Sequence, residues 1–148
     1  MKSKPDSKLM TLMEKAAEFH GHLGPFLVIG VRMGNIAKRI LKPNIKENKR
    51  LQATVKIPLL TPFSCILDGV QTTTQCTVGN QKLRIENSQK EITAHFELQN
   101  SNRVLRVSVT PKIVEKLMNE MSEGFTNEEL ARKIARMPES QLFEIEKL

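Results

Sequence analysis

Glu91-Ile92-Thr93-Ala94-His95-Phe96-Glu97-Leu98-Gln99, a polar break at Asn100-Ser101-Asn102, then Arg103-Val104-Leu105-Arg106-Val107-Ser108-Val109-Thr110: this stretch decides the fold class. Apolar and polar residues alternate on both sides of the break, as they do in half-buried strands joined by a short turn. Residues 82–86 carry a third strand pattern, and Asn87-Ser88-Gln89 is a second short polar turn, so the three segments predict an antiparallel meander. Upstream, Leu51–Ile57 alternates Leu, Ala, Val and Ile with Gln, Thr and Lys, which adds a fourth half-buried strand.

Helical patterns flank these strands. Residues 7–19 place Leu9, Leu12, Met13, Ala16 and Ala17 on one stripe, with Ser7 as N-cap. Pro25 suits a first helical position and opens a run through Val28, Ile29, Met33, Ile36 and Ile40 that stops before Pro43. Pro58 and Pro62 break the chain after the first strand, and Ser64 or Thr61 caps a helix from Cys65 to about Thr74. Pro111 opens another helix that ends near Gly124, and Thr126 or Asn127 caps one more before Pro138. The tail from Gln141 to Ile145 reads either as a last strand or as an extended arm. The expected class is α+β: one domain over residues 1–148, with a mixed or antiparallel sheet of about four strands covered by helices mainly on one side.

Bulk composition narrows the function classes. With 148 residues, of which 39% are hydrophobic and 26% charged, the chain is globular and needs no disulfide staples. Six Phe, no Trp and no Tyr leave aliphatic side chains and seven Met to fill the core. No run of eighteen apolar residues exists, and the first residues are charged where a secretory leader would be apolar, so a cytoplasmic protein with reduced cysteines is expected. The net charge is +7. Its basic residues are spread along the chain, densest at Lys38, Arg39, Lys42, Lys46, Lys49 and Arg50, and stacking aromatics are scarce. That pattern reads as a helix end running into a solvated loop, with no nucleic-acid or membrane partner, and it stays compatible with a small anionic ligand.

The chemistry concentrates in two blocks. His20-Gly21-His22 sits between two helices, where an extended or turned backbone lets both imidazoles converge and glycine permits close approach. Cys65 and Asp68 stand three apart on one helix face, in a first turn whose free N–H groups favour a thiolate and a carboxylate. Cys76 follows the end of that helix, before the turn residues Thr77-Val78-Gly79-Asn80. Two His, two Cys and one Asp make a donor set for one zinc or neighbouring transition-metal ion, without the C-x-x-C pairs of a structural finger. Taken singly, Cys65 also fits a small buried core residue and Asp68 a helix-start acid.

Residues 19–30 (Phe-His-Gly-His-Leu-Gly-Pro-Phe-Leu-Val-Ile-Gly) and 65–80 (Cys-Ile-Leu-Asp-Gly-Val-Gln-Thr-Thr-Thr-Gln-Cys-Thr-Val-Gly-Asn) resemble the paired motifs of the FmdE family of formylmethanofuran dehydrogenase proteins. The resemblance extends over nearly the whole chain through the spacing of the blocks and Leu142-Phe143-Glu144-Ile145. It implies an α+β core with a four-stranded mixed sheet and a cleft metal site drawing on His20, His22 and Cys65, with Asp68, Cys76 and Thr77 nearby. Many members have Cys-Pro-Gly where this chain has Gly24-Pro25-Phe26, and some carry a C-terminal zinc ribbon for which these residues contain no C-x-x-C pair, so the implied count is one metal ion. The sites expected are therefore His20, His22, Cys65 and Cys76 as metal ligands, Cys65 and Asp68 as catalytic groups, and Thr77 as a cofactor contact. The implied role is an accessory or small redox or metal-dependent enzyme of formylmethanofuran or one-carbon metabolism, acting on an unidentified small-molecule substrate. A metal-carrying or sensing module without turnover is the alternative. A homodimer is expected from the open edge of a short sheet and the Met-rich helices.

Overall fold

A computed structural model describes residues 7–47 and 49–148; residues 1–6, read above for a leader, lie outside it. The order is α1 (Ser7–His20), α2 (Pro25–Leu41), β1 (Leu51–Ile57), α3 (Cys65–Thr74), β2 (Leu83–Asn87), β3 (Thr93–Leu98), β4 (Val104–Val109), α4 (Pro111–Ser122), α5 (Asn127–Arg136), α6 (Glu139–Leu142) and β5 (Phe143–Lys147). The mixed α+β class holds, with a fifth strand added. The tail is a strand: β5 pairs antiparallel with β4, placing Phe143 opposite Val109 and Ile145 opposite Val107.

The sheet order is β2-β1-β3-β4-β5, which corrects the three-strand meander. β3 and β4 form the expected hairpin, but β2 lies on the far side of β1 and runs parallel to it. The reason is α3. A helix between two strands is the crossover that parallel neighbours require, and it carries the chain from one end of β1 back to the other. After β2 the chain returns across the end of β1, where Ser88 N donates to Ile57 O at 3.1 Å and Asn87 Oδ1 accepts from Leu59 N at 3.1 Å. Asn87-Ser88-Gln89 is therefore the start of a crossing, not a hairpin turn.

The alternation does place one face of the sheet in the core. Ala53, Phe96 and Leu105 stand in register across β1, β3 and β4, all buried. The opposite face carries Thr54, His95, Arg106 and Glu146 in register, and none of the four is buried.

Helix α2 is the hub, with twelve buried residues where one apolar stripe would give about half that number. It starts at Pro25 in the first turn, as expected, and stops at Lys42 in the left-handed conformation. Its closest neighbour is α3. A Cβ added at Gly30 would sit 2.1 Å from the Ile66 carbonyl oxygen, and one at Gly69 would sit 2.3 Å from the Leu27 oxygen. The two backbones touch because neither position has a side chain. Arginines fix the remaining pieces: Arg32 donates to the carbonyls of Ile134 at 2.8 Å and Met137 at 2.5 Å, and Arg103 donates to Ile40 O at 2.6 Å. These bonds give added partners to carbonyls at the ends of α5 and α2.

Candidate functional site

α1 ends at His20 because Gly21 takes φ +107°, a backbone region open to glycine, with Gly21 N closing the last turn onto Ala17 O at 2.8 Å. That ending aims His20 at the first turn of α3. His20 Nδ1 and Asp68 Oδ2 are 2.6 Å apart, with the imidazole 14% exposed. Against an ionised carboxylate Nδ1 must be the donor, which leaves the lone pair of a neutral ring on Nε2. His20 Nε2 is buried and has no hydrogen-bond partner among the described residues. A buried acceptor left without a partner costs about 1–3 kcal/mol, so the fold holds this atom at an expense that a ligand would relieve.

Asp68 is itself held in place. Its Oδ1 accepts from Gln71 Nε2 at 3.2 Å, and Gln71 Oε1 accepts from Val78 N at 3.2 Å. Gln71, one helical turn beyond Asp68, was not among the sequence candidates; its position three residues on is the signal that marks it. His22 is exposed beyond Gly21, its ring centroid 4.7 Å from that of His20 and its Nε2 lying over Gly24.

Cys65 is half-buried at the first position of α3. The expected free N–H groups are not there: Cys65 N, Ile66 N and Leu67 N donate to Pro62 O, Phe63 O and Ser64 O at 3.0–3.2 Å, and Ser64 makes no side-chain cap. Tight turns before the helix have used up the donors that would steady a thiolate. Desolvation, and then the Asp68 carboxylate, push the Cys65 thiol above its ordinary range. Cys65 and Asp68 stand three residues apart in the first turn of α3.

The remaining candidates lie elsewhere. Cys76 stands past the other end of α3, and a ten-residue helix rises about 15 Å. It is 1% exposed, packed in the hydrophobic core, with Sγ donating to Leu51 O at 3.2 Å. The structure therefore does not bring Cys76 to His20, and both cysteines are free thiols, as expected of a reduced chain. Thr77 closes a local turn, its N donating to Asn80 Oδ1 and its Oγ1 accepting from Asn80 N, both at 3.0 Å. Among the described residues no three His, Cys, Asp or Glu side chains stand close enough to form a ready metal cage. The donors that the structure does bring together are two imidazoles and a carboxylate, with Asp68 orienting the His20 ring and His22 beside it, groups of the type that suits zinc and its neighbours.

Comparison with known proteins agrees with this fold. The family model described as "FmdE, Molybdenum formylmethanofuran dehydrogenase operon" matches residues 19–144. A protein of Archaeoglobus fulgidus called a probable S-adenosyl-L-methionine-binding protein is 41% identical over 80 residues, which are 53% of this chain but only 21% of that protein. The crystal structure of an FmdE-like protein of tungsten formylmethanofuran dehydrogenase type from Syntrophus aciditrophicus superposes with a TM-score of 0.67 at 21% identity. That superposition covers 95% of this chain and 71% of the other, and at such identity it speaks for the fold. No helix among the described residues is long and apolar enough to cross a membrane.

Proposed function

The chain belongs to the FmdE family, and from that premise we propose that it is a metal-binding accessory protein of formylmethanofuran or one-carbon chemistry. One transition-metal ion, zinc by ligand type, would be held by His20 through Nε2 together with His22 and Cys65. When bound, such an ion supplies Lewis acidity at whatever coordination position the protein leaves open.

The observation that carries this reading is the pairing of His20 with Asp68: one ring nitrogen bonded at 2.6 Å, the other buried and unpartnered. A carboxylate behind an imidazole fixes its tautomer and raises its basicity as a ligand. Asp68 acts here as a positioning residue. With His20 on one oxygen and Gln71 on the other, it has little freedom to take a proton from a substrate. Burial and the Asp68 carboxylate raise the Cys65 thiol, which speaks against a standing thiolate nucleophile. These two observations also favour a second reading, in which the ion is carried or sensed without turnover. The Archaeoglobus protein's name concerns a much longer chain, so its ligand is not carried over to this one.

The test is elemental analysis of protein purified without a chelating tag. The expected content is about one transition-metal ion per chain, falling sharply in His20→Ala. Asp68→Asn should weaken metal affinity ten- to a hundredfold, at a stability cost of about 1 kcal/mol. Full occupancy in His20→Ala would remove the site.

A further inference from the structure

A cleft of about 850 Å³ opens beside the C-terminal half of α3, at the other end of that helix from Cys65. Its volume is that of a small-molecule site. Four cations line it, Lys15 from α1, Lys38 from α2, Arg50 before β1 and Lys82 before β2, and no lining residue is acidic. The ion pairs among the described residues leave all four without a carboxylate partner. Of the dense basic stretch in the sequence only Lys38 and Arg50 are drawn in, while Arg39 pairs with Glu139 and Lys49 with Glu47. Thr73 also lines the cleft; it is 3% exposed, and its Oγ1 has no hydrogen-bond partner among the described residues.

We propose that this cleft binds a small polyanion, a molecule bearing two or more phosphate or carboxylate groups. The bland account of such cations is that they face helix C-termini, and the last turns of α2 and α3 do border the cleft. Each helix end contributes roughly half a negative charge. Two ends offset about one of four full charges, so the cleft keeps a surplus of about three. Lys38 makes the surplus concrete: it is partly desolvated and faced by Lys8 and Lys15, a like-charge arrangement the fold maintains with no anion to balance it. Phe19, 63% exposed on the rim, offers an aromatic face to any flat portion of the ligand.

The experiment is calorimetric titration of the full chain, free of metal, at low ionic strength, with inorganic tripolyphosphate, citrate, ATP and a single-stranded oligonucleotide as probes. At least one small probe should bind. Lys38→Ala and Lys82→Ala should each weaken it at least about tenfold, while Lys112→Ala, which removes the same charge from exposed α4, leaves it unchanged. Lys38→Arg should retain most of the affinity. Because Lys38 is already repelled by its neighbours, Lys38→Ala should melt no lower than the parent, so lost binding is not lost fold. Preference for phosphates or for citrate names the ligand's class, and a gain for ATP over tripolyphosphate that vanishes in Phe19→Ala places its ring. Absence of binding by every small probe, equal weakening by Lys112→Ala, or a marked preference for the oligonucleotide overturns the proposal. Metal content plays no part in this readout, so the result stands apart from the fate of the His20 site.

Discussion

The two ends of α3 carry one cysteine each, eleven positions apart in what reads as a single motif, and they do different things. At the N-terminal end Cys65 is half-buried, three residues before the Asp68 that bonds an imidazole with an unpartnered nitrogen. At the C-terminal end Cys76 is sealed in the core with its thiol bonded to the Leu51 carbonyl, and the open space beside it is lined with cations. A helix between two motif residues acts as a spacer of fixed length. Residues that look like one ligand set in sequence are thereby held apart in space.

That division depends on how tightly α3 is seated, so the largest effect should come from unseating it. Gly30→Ala and Gly69→Ala each drive a methyl group into backbone at 2.1–2.3 Å, where no rotamer can relieve the contact. Overpacking of this kind costs on the order of 3 kcal/mol, a fall of about 6–12 °C in melting temperature for a domain of this size. Both ends of α3 should loosen together, so metal content and cleft affinity should fall in step. A variant that melts like the parent would show that the helices can move apart freely.

A smaller effect separates the ends. Cys65→Ser should lower metal affinity by more than the hundredfold typical of a supporting group, with little change in stability. Cys76→Ser should leave metal content intact and cost about 1 kcal/mol, since a buried hydroxyl can still donate to Leu51 O in a slightly different geometry. Equal metal loss in the two variants would mean that the motif acts as one site after all.

Much of this was legible in the sequence, and the parts that were not share a cause. Alternation identified β1, β3 and β4 and their buried faces, prolines placed the starts of α2 and α4, and Thr126 caps α5 by accepting from Glu129 N at 3.1 Å. The His-Gly-His corner and the Cys65–Asp68 face were visible from spacing alone, and the family resemblance added to them. Strand order was not visible, because a period-two pattern says nothing about which neighbour a strand pairs with. The helix lying between β1 and β2 was the available clue. Cys76 was misplaced for a similar reason: proximity in a motif was read as proximity in space, across a helix about 15 Å long. The sequence left room for a small anionic ligand but not its place, since the four cations of the cleft come from four separate segments that only the tertiary fold assembles.

The smallest effect concerns protons. Burial raises both thiols, at Cys65 with help from Asp68 and at Cys76 against the opposing pull of Thr74 and Lys82. A thiol whose folded value lies above its unfolded one holds its proton longer in the native state. Its stabilising contribution is complete below the unfolded value of about 8.5 and is lost as pH rises through the folded value. The urea midpoint of the metal-free protein should therefore fall more steeply above that pH than the midpoint of the Cys65→Ser/Cys76→Ser double variant, which has no thiol to titrate. The two ends should also part in rate. Iodoacetamide at pH 8 should modify Cys65 more slowly than a free thiol and reach Cys76 only on unfolding, since attack requires both thiolate and access. Binding metal should then shield Cys65 and leave the protection of Cys76 as it was. If metal protects neither thiol while still binding at one equivalent, Cys65 is no ligand, and the two cysteines differ only in burial.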